Sequence, residues 1–528
     1  MSFISWQFGF FLALVVALYW RLPHVARKIL LLAASYIFYG FWDVRFLALL
    51  LTSTAIDFFC GLAVAGQRRP LRQVAMVACL PPCWLAICSA SPGLSGAVAV
   101  GTLGAAAVFP FAFTLLYEAL WRLPEARQRR AFLLMSVLTN LGVLGFFKYC
   151  NFFTASAVSL CQSLGWEPGW TLPHIILPIG ISFYTFQSIS YSVDIFRGKA
   201  RPSPEFFTFA AYLSFFPQLV AGPIERPNDL LPQFQRPAVF EVEGFHRGLR
   251  LFLSGLFKKI FVADNCALLA NHAFAPHQHL NAYWAGLGVL AFAFQIYGDF
   301  SGYTDIARGS ARLLGIRLNH NFHFPYFARS PSDFWQRWHI TLSAWFRDYV
   351  YIPLGGNRGG AFQTLRNLWI TMLLAGLWHG ASWTFVLWGA YHALLLTAYR
   401  LVPALDHLAQ TKYPSSWRPA ASMALMFGLT LFGWAIFRSG SFDQFTGWLT
   451  AWGRWEPSAA AAGCFKPFLW CLFHVVPLLL LQAATWRRQD EVEWDHVSWP
   501  VRGLAYAAMF LAVVSSAAGD QEFIYFQF

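Results

Sequence analysis

Ile4-Ser-Trp-Gln-Phe-Gly-Phe-Phe-Leu-Ala-Leu-Val-Val-Ala-Leu-Tyr-Trp20 and the segment after it, Arg21-Leu-Pro-His-Val-Ala-Arg-Lys28, decide the fold class. The first stretch has no charged side chain, and the second has Arg21, Arg27 and Lys28 with no acid to offset them. An uncharged run of this kind satisfies its backbone as a helix in hydrocarbon, and Arg and Lys gather on the cytoplasmic side of such helices. The pair predicts a spanning helix that starts outside the membrane and ends inside. The opening run lacks the basic lead and small-residue cleavage site of a secretory signal, so it is expected to stay attached as the first span.

The same alternation repeats outward from there. Apolar runs at 29–41 and 46–65 return the chain to Gln67, Arg68 and Arg69, and runs at 74–89 and 97–117 return it to Arg122, Arg127, Arg129 and Arg130. The run at 131–153 leads to the segment 162–171, which has no basic residue, and the next run leads back to Arg197, Lys199 and Arg201. Each basic loop is expected in the cytoplasm and the N-terminus outside. Beyond Arg201 the pattern is broken by Pro217, Gly222, Pro223 and Pro227. Breaks of that kind predict re-entrant or cavity-lining segments, because irregular backbone persists at membrane depth only where protein or a wet cavity covers it. Runs resume at 285–297, 365–378, 383–397, 422–437, 468–484 and 504–516, and the polar piece 486–499 reads as a surface connector.

Composition points the same way. Of 528 residues, 57% are hydrophobic and 12% charged, against about 25% charged in an ordinary soluble domain. Apolar runs occupy the chain from end to end, so residues 1–528 are expected to form a single membrane-embedded, all-α domain. The formal charge of +13 sits in short clusters at the ends of apolar runs rather than on one polar face, which argues against a nucleic-acid partner and for membrane topology. The 24 Trp, 19 Tyr and 54 Phe suit the membrane boundary and packing between helices. The nine cysteines have no CxxC spacing and read as small buried hydrophobes. A solenoid repeat, a phosphate-cradling glycine loop and a GxSxG elbow are all missing from the sequence.

Against that background, the centre of the chain concentrates groups that a bilayer resists, since an ionisable side chain there is expensive unless paired or wet. Gln295-Ile-Tyr-Gly-Asp299-Phe-Ser-Gly-Tyr303-Thr-Asp305 follows an apolar run directly. Asp333-Phe-Trp335-Gln-Arg337-Trp338-His339 leads into Ser343, Arg347 and Asp348, and Leu377-Trp378-His379-Gly-Ala-Ser-Trp383 joins two long apolar runs. Each has two readings. His379 is either a hydrogen-bonded structural histidine or a reactive one. Asp333 and Arg337 are four apart, so they share a helix face as an ion pair or take part in chemistry. Asp299, Tyr303 and Asp305 either line a cavity or serve buried structural roles. His272, His277 and His279 cluster around Pro276 without a carboxylate or thiol to complete a metal site, and read as a loop; no metal site is expected. His392 reads as packing or capping.

These strings resemble a known family. Asp333 to His339, Trp345-Phe-Arg-Asp-Tyr-Val-Tyr-Ile-Pro-Leu-Gly-Gly356 and Leu377-Trp-His379-Gly are similar to the signature of the membrane-bound O-acyltransferase (MBOAT) superfamily. Pro178-Ile-Gly-Ile-Ser-Phe-Tyr-Thr-Phe-Gln187, Phe216-Pro-Gln-Leu-Val-Ala-Gly-Pro-Ile224, Gly255-Leu-Phe-Lys-Lys259, Gln295 to Asp305, Phe432-Gly-Trp434 and Phe523-Ile-Tyr-Phe-Gln-Phe528 resemble its bacterial alginate O-acetyltransferase branch. The resemblance covers most of the chain in the expected order. Two features depart from it: about 70–121 holds an extra pair of apolar spans, and Gly298 stands where a bulky aromatic is common.

The resemblance implies an MBOAT-type bundle of helices in a bacterial inner membrane, with re-entrant segments around a thinned central cavity. It implies His379 as the catalytic residue and His339 as its companion. The donor is expected to be cytoplasmic acetyl-CoA, a substrate rather than a resident cofactor, and the product an O-acetylated exported polysaccharide such as alginate. Membrane lipid and an extracytoplasmic polysaccharide acetyltransferase are the expected partners. Channel candidates are Asp299, Tyr303, Asp305, Asp333, Trp335, Arg337, Trp338 and Trp378. Lys258 and Lys259 either attract the donor's phosphates or set topology. In this scheme His379 acts as general base or as an acyl-histidine nucleophile. His339 orients the acceptor, holds a tautomer or stabilises an oxyanion. D-alanyl transfer toward teichoic acid and a non-enzymatic polysaccharide export subunit are the alternatives.

Overall fold

A computed structural model describes residues 1–89, 96–169, 175–220, 222–275, 280–405, 417–455, 459–486, 488, 494, 497–516 and 523–524. Among the described residues all regular structure is helical. The opening run is the helix Trp6–Arg21, capped by Ser5, whose Oγ accepts from the Phe8 N–H at 3.2 Å. His24–Gly40 and Leu47–Val64 follow, and Leu71–Ala78 gives way to Leu80–Ser89 where Pro81 and Pro82 occupy a first helical turn, the place that tolerates a missing N–H. Gly96–Trp121 comes next, and then Glu125–Ser163, continuous through a wider turn at Gly145–Tyr149. Among the described residues five segments are long and apolar enough to cross a membrane: Val44–Val64, Leu71–Cys88, Glu125–Ser163, Arg418–Arg438 and Gly463–Thr485. The protein is a multi-pass, all-α membrane protein. Of the expected connector, only 486, 488, 494 and 497–499 are among the described residues.

The chain forms two compact units, Met1–Phe245 with Ser310–Leu318, and His246–Gly309 with Asn319–Phe528. In the first unit Leu47–Val64 is buried along nearly its whole length. Its Asp57, fully buried, accepts from Ser136 Oγ at 2.6 Å and from Asn140 Nδ2 at 2.9 Å, and Ser136 Oγ lies 2.7 Å from Ser192 Oγ. One carboxylate thus ties Glu125–Leu144 to the core helix, and the shared hydroxyl carries the network on to Ile181–Phe196. The expected break falls on Phe206–Ser214, buried from Thr208 on, and Phe216–Leu219, buried throughout. Gln187 Nε2 donates to the Tyr212 carbonyl at 3.1 Å and Gln218 Nε2 to Gln187 Oε1 at 2.8 Å, so buried amides serve the interrupted backbone.

In the second unit the part of the Ala282–Leu313 helix up to Gly309 lies against the part of the Val242–Leu256 helix from His246 on and the Phe257–Ala263 turn that continues it. Gly298 has its physical reason here. A Cβ at Gly298 would stand 2.8 Å from the Lys258 carbonyl oxygen, and one at Gly302 2.8 Å from the Gly255 carbonyl oxygen. Close backbone approach of this kind drives helix packing in membranes, where lipid offers no hydrophobic incentive.

Candidate active site

His379 is placed by a helical hairpin, Gly360–His379 and Trp383–Leu401. A Cβ at Gly376 would meet the Phe385 carbonyl oxygen at 2.3 Å and one at Gly389 the Met372 carbonyl oxygen at 2.5 Å, so the two backbones touch at this level. His379 is the last residue of its helix, and Ser382 starts the next by accepting from the Thr384 N–H. The imidazole is 2% exposed. Trp388, Trp378 and Phe437 pack around it, with ring centroids at 4.9, 5.2 and 5.5 Å.

His339 is placed by a different device. Pro331–Arg337 is a short helix capped by Ser330 Oγ, and its four-residue spacing closes as an ion pair between Arg337 and Asp333 at 2.6 Å. Arg337 Nε makes that contact at the helix end, while Asp333 also accepts from the Arg329 N–H at 3.0 Å. After Arg337 the chain extends through Trp338, and His339 then adopts φ 42° and ψ 54°, a left-handed conformation unusual for a residue with a Cβ. Such strain is held only where the surroundings fix it, and it collects at functional sites.

The residues that fix it are Asn321 and His323. The Ile340 N–H donates to the Asn321 carbonyl and the His323 N–H to the Arg337 carbonyl, both at 2.9 Å. The Asn321 side-chain oxygen accepts from the Thr341 hydroxyl at 2.6 Å and from the Thr341 N–H at 3.3 Å. Because a backbone N–H can only donate, that atom is the amide's oxygen, not its nitrogen. His339 Nδ1 lies 3.3 Å from the same oxygen and therefore carries the proton, which leaves the lone pair of the neutral ring on Nε2.

The two histidines meet across one indole. The Trp378 ring is 5.8 Å from the His339 ring and 5.2 Å from the His379 ring, centroid to centroid. His339 is fully buried, with Phe300 on it at 4.7 Å. Trp338 packs on Trp434 at 4.8 Å, and Trp335 on His392 and Trp388 at 5.1 and 5.7 Å.

Asp299, Tyr303, Asp305, Lys258 and Lys259 form a separate group. Lys258 and Lys259 side chains are only 5% and 1% exposed. Lys258 Nζ is 2.8 Å from Asp305, which Arg308 also meets at 3.1 Å. Lys259 Nζ is 2.7 Å from both Asp264 and Asp299, and Asp299 also accepts from the Ile524 N–H at 2.6 Å. Tyr303 offers its ring to Lys259 at 5.6 Å and packs on Phe523 at 4.3 Å. Buried charges last only when paired, and here each ammonium faces a carboxylate of its own chain. This group connects to the histidines through the Ala282–Leu313 helix, on which Phe300 follows Asp299.

Asn321, Trp388 and Trp434 take part in the site geometry, yet the sequence reading gave Asn321 and Trp388 no role and placed Trp434 only in a branch string. Asn321 had a weak signal, as one of two asparagines in Asn319-His-Asn321. Trp388 is one of 24 tryptophans and had none. His392, read as packing or capping, is buried against Trp388 at 4.5 Å. His272 packs on Trp284 at 4.7 Å, and His277 and His279 lie outside the described residues.

Comparison with known proteins gives this geometry a context. The family model described as MBOAT, membrane-bound O-acyltransferase family, matches residues 196–437, a span that contains both histidines. The chain is 39% identical over 433 residues to the probable alginate O-acetylase AlgI of Azotobacter vinelandii, covering 82% of this chain and 74% of that protein. It is 38% identical over 446 residues to the protein of the same name from Pseudomonas aeruginosa, with 84% and 72% covered. It is also 31% identical over 443 residues to the peptidoglycan O-acetyltransferase of Helicobacter pylori, with 79% and 72% covered.

Proposed function

Because the chain belongs to the membrane-bound O-acyltransferase family, in its alginate O-acetylase branch, and is an O-acyltransferase, we propose that it moves an acetyl group from cytoplasmic acetyl-CoA through the membrane for O-acetylation of an exported polysaccharide, alginate or a close relative. The observation that carries this reading is the pair of buried imidazoles on one indole, His339 held in a strained backbone and a single tautomer. Relatives named for alginate O-acetylation match at higher identity than the one named for peptidoglycan, which favours an alginate-like polymer.

In this reading the N-terminus lies outside a bacterial inner membrane. The basic loops at Arg21, Arg68 and Arg122 face the cytoplasm and raise the local concentration of the polyanionic donor. His379 takes the proton of the acceptor hydroxyl as its oxygen attacks the thioester carbonyl. A carbon–oxygen bond forms, the carbon–sulfur bond breaks, and His379 returns the proton to the departing thiolate. Nε2 of His339, with its lone pair, accepts a hydrogen bond that orients the acceptor. General base catalysis of this kind contributes about 10²- to 10⁴-fold. An extracytoplasmic acetyltransferase completes delivery to sugar, and the helices between 70 and 121 are an addition that leaves topology unchanged.

The test uses purified full-length chain in detergent with radiolabelled acetyl-CoA. Wild type is expected to transfer label and release CoA, and His379→Ala and His339→Ala to lose that activity. Transfer that survives both substitutions overturns the assignment.

A further inference from the structure

Acyl transfer puts negative charge on the carbonyl oxygen of the acyl group, and donors aimed at that oxygen are usually the largest single source of catalysis. Backbone around His379 is poorly suited to supply one. His379 ends its helix, where the leftover groups are carbonyl oxygens and the dipole is negative. The next helix has its first donors occupied: the Thr384 N–H goes to Ser382 Oγ at 3.3 Å, and the Phe385 and Val386 N–H groups go to the Ser382 carbonyl at 3.2 and 3.3 Å. A side chain is the other possible source of a donor.

Of the rings on His379, Phe437 has no donor, and Trp378 lies between the two imidazoles. Trp388 is fully buried, and its indole N–H has no hydrogen-bond partner among the described residues. The same holds for the N–H groups of Trp335 and Trp338, in the same aromatic packing. A buried donor without a partner costs about 1–3 kcal/mol and is uncommon in folded proteins, so several in one place mark a subsite for a polar ligand. Trp388 is also rigidly held. Its ring stands at 82° to His379, packs on His392 at 4.5 Å, and stacks on Trp434 at 6.3 Å and 17°.

We propose that the Trp388 indole N–H donates to the carbonyl oxygen of the acyl group at His379 and holds it as it becomes an oxyanion, an assignment that rests on the acyl-transfer reading above. When the acceptor oxygen bonds to the carbonyl carbon, the carbonyl electron pair moves onto the oxygen that Trp388 holds, and it returns as the carbon–sulfur bond breaks. The proton travels through His379, and Trp388 keeps its own.

The experiment replaces Trp388 in the full-length chain with Phe and, separately, with 3-benzothienylalanine, which keeps the shape of indole but has sulfur in place of the N–H. Both are assayed in detergent with labelled acetyl-CoA. Both are expected to lower kcat by about 10²- to 10³-fold with little change in KM and with the wild-type melting temperature kept for benzothienylalanine. Wild-type kcat with benzothienylalanine overturns the assignment, even where Phe loses activity, because ring shape then accounts for the effect. A wild-type chain that transfers no acetyl overturns the acyl-transfer reading itself.

Discussion

The Lys258–Lys259 group and the His339–His379 pair lie in the same compact unit and are both buried, but they treat polarity in opposite ways. In the first, Lys258, Lys259, Asp264, Asp299, Asp305 and Arg308 neutralise one another at 2.7–3.1 Å. In the second, the surroundings are almost wholly aromatic, the His339 backbone is strained, and the indole donors of Trp335, Trp338 and Trp388 lack a partner among the described residues. In the first group each cation has a carboxylate within ion-pair distance. The second has polar capacity and strain that the fold does not use, which is what a site for a passing substrate requires. Burial of ionisable residues in a membrane protein is therefore a weak guide to chemistry until their partners are known.

The comparison breaks most sharply at Lys259. Lys259→Met leaves Asp264 and Asp299 buried without their cation, and removing one partner of a buried pair costs about 3–5 kcal/mol. The expected result is a large fall in melting temperature in detergent, with acetyl transfer per folded molecule retained. A variant that melts like wild type but transfers nothing would move Lys259 from the ion-paired group to the reaction.

A smaller effect, of the opposite kind, is expected at Asn321. Asn321→Ala frees His339 to change tautomer and orientation, and misplacement on that scale lowers the rate by about 10- to 100-fold. Turnover should fall further than the melting temperature implies. An undiminished rate would show that Asn321 braces the chain and does not set the ring.

The least effect is expected at the half-exposed ion pair of Asp333 and Arg337, with side chains 27% and 22% exposed. Pairs with access to solvent contribute about 0.2–1 kcal/mol, so Asp333→Asn should shift melting only slightly and leave turnover near wild type. A large loss of turnover would place this pair with the histidines.

Which of these groups could be seen in the sequence follows from how local each signal is. The runs at 285–297, 365–378, 383–397 and 422–437 fall within Ala282–Leu313, Gly360–His379, Trp383–Leu401 and Arg418–Arg438, because an apolar stretch of the right length nearly dictates a helix. The Asp333–Arg337 pair was readable because four residues bring two side chains to one helical face. Lys258 and Lys259 were not. Their basic character resembles a topology signal, and carboxylates distant in sequence take part in neutralising them: Asp305, 47 residues from Lys258, and Asp299, which joins the nearby Asp264 on Lys259. The left-handed turn at His339 and the burial of Trp388 likewise arise from tertiary closure, which no window along the chain reports.

The most direct measurement pairs stability with turnover on one substitution, His379→Gln, in purified full-length chain. Glutamine is of similar length and polar but does not act as a base near neutral pH, so the account expects a melting curve that overlays wild type and acetyl transfer from labelled acetyl-CoA reduced to background. Label transfer at the wild-type rate, or a loss of activity no greater than the loss of folded protein, would contradict it.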